Sequence, residues 1–244
     1  MSAEQPAWVL GRKKYGDNGL LVEFFTAEWG RCCAVVRGAH RKKRGGSLAS
    51  LLQPFQPLLV GMVGRGDLKT VGQVEAPSAG YSLRGEALIH GMYINELLVR
   101  VLPRFCAFPH LFVAYGRAAE QLVMCASEST LRRFELALLS ELGYSVNLQT
   151  DEYGQIIREA THYTYESERG LCAAGMDKAR SDMAVLSGEQ LVRFQQWWDE
   201  KRDLDPGDLG ALKRLTRVAM TQITSGRKLH TQALVRNLRS HQRG

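Results

Sequence analysis

After Asp208 the chain contains no acidic residue, although 36 of its 244 residues are still to come. Other absences are as informative. The five cysteines, Cys32, Cys33, Cys106, Cys125 and Cys172, include no C-x-x-C pair. That removes metal-ligand spacing and a disulfide framework, and leaves reduced, buried thiols as the expectation. No apolar run approaches membrane-spanning length, and the segment Met1–Asp17 lacks a basic stretch followed by an apolar one. A cytoplasmic protein without membrane contact is expected.

Catalytic signatures are missing too. There is no G-x-x-x-x-G-K-[ST] loop, no H-E-x-x-H, no G-x-S-x-G elbow and no deaminase-type Cys/His pattern, which disfavours an enzyme. Glu96, Glu135 and Glu141 lie on helical patterns without an acid–base or metal partner and read as core-edge or capping groups. His162 and Cys172 are given no catalytic role. No cofactor and no metal are expected.

What remains is an ordinary globular composition, 45% hydrophobic and 23% charged, carrying 32 Lys plus Arg against 25 Asp plus Glu and a formal charge of +7. Such an excess favours polyanionic partners. Two compact units or one large one suit the length.

From Pro6 to about Ala76 the pattern is strand-like: Trp8–Leu10, Leu20–Phe25, Arg31–Arg37, Pro57–Val63 and Leu68–Ala76, separated by turns such as Asp17-Asn18-Gly19 and Gly64-Arg65-Gly66-Asp67. In the second run Leu20, Val22 and Phe24 share one face. Five short strands in about seventy residues suit a closed OB-fold barrel, and the same count suits an SH3-like barrel.

Beyond Pro77–Gly80 helical periodicity takes over, which predicts an α+β chain: a barrel over 1–80 and a mainly helical domain over 81–244. Ile89, Tyr93, Leu97 and Val101 mark one stripe, and Leu111, Tyr115, Ala118 and Leu122 the next. A third helix is expected from about Thr130 to Leu142, with Gly143 as its left-handed cap. Between 145 and 182 the period weakens, leaving loops with room for a short hairpin. Ser187 with Gln190 forms a capping box, Asp205-Pro206 opens a further helix, and a final one is expected near Leu229.

The densest cationic feature is Arg37-Gly38-Ala39-His40-Arg41-Lys42-Lys43-Arg44. It is too polar for a core, and cations of this kind bind nucleic acid by releasing condensed counterions from phosphates. A solvated surface loop is the plainer reading of such a run. Arg12, Lys13, Lys14, Arg65 and Lys69 are candidates for the same surface, whereas Trp8, Phe24, Phe25, Trp29 and Phe55 could stack bases but are expected mainly in the core. A second cationic group is Lys213, Arg214 and Arg217, spaced to converge on one anion, with favourable placement of positive charge near helix C-termini as the alternative. Arg132-Arg133, near a predicted helix start, oppose the helix dipole and so suggest a functional demand.

Several strings resemble the RecO family. Val36-Arg37-Gly38-Ala39-His40-Arg41-Lys42 resembles its K-G-A-R-basic segment, Leu52-Gln53-Pro54-Phe55 its L-Q-P-F string, and Gly64-Arg65-Gly66-Asp67-Leu68-Lys69-Thr70 its G-x-G-[DE]-L-K-T stretch. Tyr93-Ile94-Asn95-Glu96-Leu97-Leu98 and Leu131 to Tyr144 resemble its Y-x-x-E-L-L and R-x-F-E-x-x-L-L…L-G-Y helices. The matches fall in order and span most of the chain.

The resemblance implies an OB-fold followed by a helical domain. It further implies a non-enzymatic repair and recombination mediator that binds single-stranded and duplex DNA, anneals strands coated by single-strand-binding protein (SSB), and loads recombinase together with RecR. DNA contacts are then expected at Arg37, Arg41, Lys42, Lys43, Arg44, Arg65 and Lys69. The acidic, apolar-ended SSB tail is expected near Arg132, Arg133, Lys213 and Arg217, and the protein would work at the nucleoid. The four-cysteine zinc site of some members has no counterpart here, and Gly226-Arg227-Lys228-Leu229 matches the family's G-x-x-L-K-S-R string only loosely. The alternatives are an RNA-binding OB-fold protein without annealing activity, recognised by preference for structured RNA, and a nuclease, recognised by metal-dependent cleavage.

Overall fold

The structure is a computed structural model that describes residues 4–41, 46–174, 184–224, 226 and 229–231. The described residues form two units, one within Met1–Ala126 and joined by the stretch 229–231, the other within Ser127–Arg227.

The first unit is built on strands β1 (Gln5–Tyr15), β2 (Gly19–Thr26) and β3 (Gly30–Val36), a one-turn helix α1 (Leu48–Leu51), and strands β4 (Leu58–Val63) and β5 (Leu68–Glu75). They close into a barrel of order β1-β2-β3-β5-β4, with β3 and β5 parallel and every other pair antiparallel. This Greek-key order with a helix between β3 and β4 is the OB topology, and it decides against the SH3-like alternative. Period-two alternation fills the interior with Val9, Val22, Phe24, Cys32, Ala34, Val60 and Met62.

Register slips by one residue between Val9 and Gly11 where β1 pairs with β2. Such a bulge takes a backbone group out of the ladder. Here the Leu10 carbonyl accepts from Asn95 Nδ2 at 3.1 Å, and the Asn95 Oδ1 accepts from the buried Tyr115 hydroxyl at 2.7 Å. Asn95 and Tyr115 belong to α2 (Gly85–Val101) and α3 (Pro109–Met124), which pack with the barrel in this unit.

The buried face of α2 is Ala87, His90, Gly91, Ile94, Asn95, Leu97 and Leu98, so Ile89, Tyr93 and Val101 of the expected stripe are only half-buried. Glycine sets this rotation. A Cβ on Gly91 would lie 2.6 Å from the Phe55 ring, so the helix comes this close to Phe55 only at a glycine. The buried residues of α3, among them Leu111, Tyr115, Ala118 and Leu122, match expectation.

In the second unit α4 (Glu128–Glu141) ends near Gly143, whose φ of +83° is the expected left-handed cap. The weakly periodic stretch contains the hairpin β6 (His162–Glu166) and β7 (Gly170–Ala173), joined by β8 (Val185–Ser187) in the order β7-β6-β8. The guanidinium of Arg169 ties the hairpin turn to Glu152 and to Glu166. Ser187 and Gln190 form the capping box of α5 (Gly188–Trp198), and α6 (Pro206–Thr224) starts at the expected proline. The helix expected near Leu229 lies mostly outside the described residues.

The Asp208 N–H donates to Asp205 Oδ1 at 2.7 Å, completing the N-terminal cap of α6. The Asp208 carboxylate, buried, accepts from Arg193 Nε at 2.5 Å and Nη2 at 2.8 Å, joining α6 to α5. These bonds hold the carboxyl below its ordinary range despite the opposing effect of burial. A depressed folded pKa contributes stability above the unfolded value, about 3.9, and loses it as pH falls through the folded one. Asp208→Asn is therefore expected to cost about 1.5–3 kcal/mol at pH 7. The gap from wild type should narrow below about pH 4. Urea unfolding at pH 7 and pH 3 checks this, and a gap independent of pH would refute it.

Candidate nucleic-acid interface

The cationic run following β3 starts from a pinned turn. Arg41 N–H donates to the Gly38 carbonyl at 3.0 Å, and the carbonyl of buried Ala39 accepts from Ala49 N–H of α1 at 2.9 Å. This anchor leaves Arg37, His40 and Arg41 exposed. Lys42, Lys43 and Arg44 lie outside the described residues. Two β1 cations reach the same end of the barrel: Arg12 Nη1 donates to the Ala49 carbonyl at 2.6 Å, and Lys14 stands opposite Leu20, itself opposite Val36.

Arg65 and Lys69 occupy another place. Arg65 belongs to the β4–β5 connection, and β5 begins opposite Cys33, so this loop lies toward the start of β3 while Arg37 and Arg41 follow its end; Lys69, in β5 opposite Ala34, sends its ammonium back to the same loop. Six residues of strand separate Arg31 from Arg37, about 20 Å at 3.3 Å per residue. The sequence candidates thus divide into two cationic groups, one at each end of β3.

The Lys69 end is the more constrained. Its Nζ donates to the Gly64 carbonyl at 3.1 Å and lies 5.7 Å from the Trp29 ring centroid and 5.2 Å from that of Phe105. Phe105 comes from the α2–α3 connection, where its N–H donates to the Arg31 carbonyl at 2.9 Å and Arg104 bridges to Arg31 in parallel fashion. That approach requires Gly30: a Cβ there would fall 1.7 Å from the Cys106 carbonyl oxygen.

Glu23 on the outer face pairs with Arg31 at 2.8 Å and with Arg104 at 3.7 Å. It also raises the neighbouring thiols, although burial is the larger cause: Cys32 is pushed up to about 12 and Cys33 to about 11. Both therefore stay protonated near neutral pH and are poor nucleophiles. Among the described residues no group of three or more His, Cys, Asp or Glu side chains could hold a metal ion, and no helix is long and apolar enough to cross a membrane.

The second set of candidates falls in the α4–α6 layer, in unequal surroundings. Arg132 is buried: its Nη2 pairs with Glu135 at 2.9 Å and its Nη1 donates to Thr216 Oγ1 of α6 at 3.2 Å. Arg133 faces α5, donating to the carbonyls of Trp197 at 2.7 Å and Trp198 at 3.0 Å while its guanidinium stacks 4.6 Å from the Trp197 ring. It closes the C-terminus of α5, where helix carbonyls are otherwise unsatisfied. Burial lowers its pKa, opposed by Glu200. Arg217 and Arg214 are exposed, and exposed Lys213 pairs with Glu128.

One contact that the sequence does not signal is long-range. Glu96 accepts from the N–H groups of His230 at 2.7 Å and Thr231 at 2.9 Å and from the Thr231 hydroxyl at 2.8 Å. Burial would raise this carboxyl, but those donors and Arg100 together hold it low. Glu96, read from sequence as a core-edge or capping group, is partly buried and bonded to backbone N–H groups. Its partner, over 130 residues away, carried no local signal.

Two family models cover the chain: Recombination protein O N terminal matches residues 1–78 and Recombination protein O C terminal matches residues 83–231. Proteins named DNA repair protein RecO are similar over nearly their whole length. That of Halorhodospira halophila is 37% identical over 235 residues, covering 96% of this chain and 97% of the relative. That of Pasteurella multocida is 37% identical over 237 residues, covering 94% and 93%. That of Coxiella burnetii strain RSA 331 is 36% identical over 234 residues, covering 96% and 97%. With an OB barrel ahead of a mainly helical region and family matches along its length, the chain belongs to the RecO family of DNA repair proteins.

Proposed function

We propose that this protein is a non-enzymatic recombination mediator: it binds single-stranded and duplex DNA, anneals complementary strands coated by SSB, and with RecR helps to load recombinase. The observation that carries the reading is the placement of cations toward both ends of β3 on an OB barrel, Arg37 and Arg41 past its end, Arg65 and the ammonium of Lys69 toward its start. A strand crossing β3 would meet positive charge on either side, which suits sequence-independent phosphate binding. The protein would act in the cytoplasm, at the nucleoid. The functional division we propose follows the change of character near residue 80, DNA on the barrel side and the partner site in the helical part.

The SSB tail, acidic and apolar-ended, is assigned to the α4–α6 layer. Lys213 and Arg217 offer exposed cations, Arg133 and Trp198 an adjoining cation and partly exposed ring, and Arg132 supports them from inside rather than touching the tail. Tethering by the tail raises local concentration on coated strands without competing for every phosphate.

Annealing of complementary oligonucleotides coated with intact or tail-less SSB tests this. Removing the tail is expected to slow annealing on the order of 10²-fold. Equal rates on both would remove the tail from the mechanism. No annealing on bare or coated strands, with tighter binding of structured RNA, would replace the proposal by the RNA-binding reading.

A further inference from the structure

We propose that Trp29 and Phe105 form a nucleobase-stacking subsite at the β4–β5 end of the barrel, with Lys69 moving from the rings to the adjacent phosphate when a base arrives. The proposal rests on the DNA-binding reading above and assigns to it a contact with the bases as well as with the backbone.

Three separate chain segments supply the subsite: the β2–β3 turn (Trp29), the α2–α3 connection (Phe105) and the start of β5 (Lys69). Both rings pack one side on the barrel core and are only partly buried, unlike Trp8, Phe24, Phe25 and Phe55. Pure plugs of a small barrel would be expected to bury fully.

Phe105 also has a positive φ of 56°, an uncommon conformation for a bulky side chain. Such backbone persists only where the surroundings enforce it, and it concentrates at functional positions. Here the enforcing contacts are the Phe105 N–H bond to the Arg31 carbonyl and the close passage of the connection over Gly30. They aim the ring at the barrel mouth, beside the partly exposed guanidinium of Arg104.

The Lys69 ammonium lies over both rings, 5.7 and 5.2 Å from their centroids. A cation on an exposed aromatic face is held more weakly than a stacked base, so a base displaces it. The displaced ammonium then has the nucleotide's own phosphate as its partner, a stronger acceptor than the Gly64 carbonyl it leaves.

The test compares oligo(dT) of about 16 nucleotides with an abasic strand of equal length and charge, a length within the range of OB-fold site sizes. Wild type is expected to bind oligo(dT) about tenfold more tightly than the abasic strand, with quenching of tryptophan emission. Trp29→Leu and Phe105→Leu should lose that preference while keeping the abasic affinity. Trp29→Phe should keep the preference but lose part of the quenching. Equal binding of the two strands by wild type, or an unchanged preference in Trp29→Leu, would overturn the subsite while leaving phosphate binding intact. Should Trp29→Leu fail to fold by circular dichroism, equal quenching in wild type and Trp29→Phe would overturn it instead. If wild type bound neither strand, the DNA-binding reading itself would fall, and this subsite with it.

Discussion

Replacing Arg41, Lys42, Lys43 and Arg44 together by alanine is expected to lower single-strand affinity several-hundredfold at 0.1 M salt. Each phosphate neutralised on a single strand contributes a slope of about −0.7 in log affinity against log salt. Four such contacts contribute about −2.8, and since this term vanishes near 1 M salt, the loss a decade lower is on the order of 10^2.8. The variant should therefore fall off less steeply with salt, by about 3 in slope, and meet the wild type near 1 M. Fluorescence anisotropy with a labelled oligonucleotide at four or five salt concentrations gives both quantities. A lower affinity with the same slope would assign the loss to something other than counterion release. An unchanged affinity would make the run a solvated loop.

Binding should not vanish in that variant, because the barrel presents cations elsewhere. Arg37 precedes the run, Arg12 and Lys14 approach the same barrel end along β1, and Arg65 and Lys69 stand at the opposite end of β3. The loop is also separable from folding. Its structural anchor is Ala39, buried and bonded to α1, and Arg41, the substituted residue among those described, is exposed.

The elements that were legible in the sequence are those whose burial follows a period. β2 alternates Leu20, Val22, Phe24 inward, α3 repeats Leu111, Tyr115, Ala118, Leu122, and the Ser187 and Asp205-Pro206 signals fix the starts of α5 and α6. What was not legible depends on contacts that no local pattern encodes. The inward face of α2 includes His90, Gly91 and Asn95, because a glycine lets the helix approach Phe55 and an asparagine answers the carbonyl freed by the β1 bulge. Strand β8 has three residues, too few to alternate visibly. Phe105 lies in a connection, and its place at the barrel mouth comes from pairing with β3 through Arg31. At the proposed DNA face, the cations could be named from sequence, but their division along β3 needed the β3–β5 register and the Lys69 ammonium contacts.

The pair Arg132-Arg133 shows the same limit, and it carries the second large prediction. Neighbours on a helix point about 100° apart, so two adjacent arginines seldom share a surface. Arg133 turns to the end of α5, while Arg132 turns inward to Glu135 and Thr216. Removing Arg132 alone takes one ion pair from the buried Glu135 carboxylate, and breaking a buried pair in this way costs about 3–5 kcal/mol. Replacing both residues by apolar ones of similar size removes the charge and the desolvation cost together, which is often neutral or stabilising. Arg132→Met is therefore expected to destabilise strongly, and Arg132→Met with Glu135→Leu to recover most of the loss. Urea midpoints of the wild type, both single variants and the double variant measure the coupling. The double variant then separates support from recognition. If Arg132 acts only by holding α4 against α6, the double variant binds an SSB-tail peptide as wild type does, whereas Lys213→Ala with Arg217→Glu abolishes binding in a protein that still folds by circular dichroism. A double variant that is stable and yet blind to the peptide would place the Arg132 guanidinium in contact with the tail, and would require α4 and α6 to part when the tail binds.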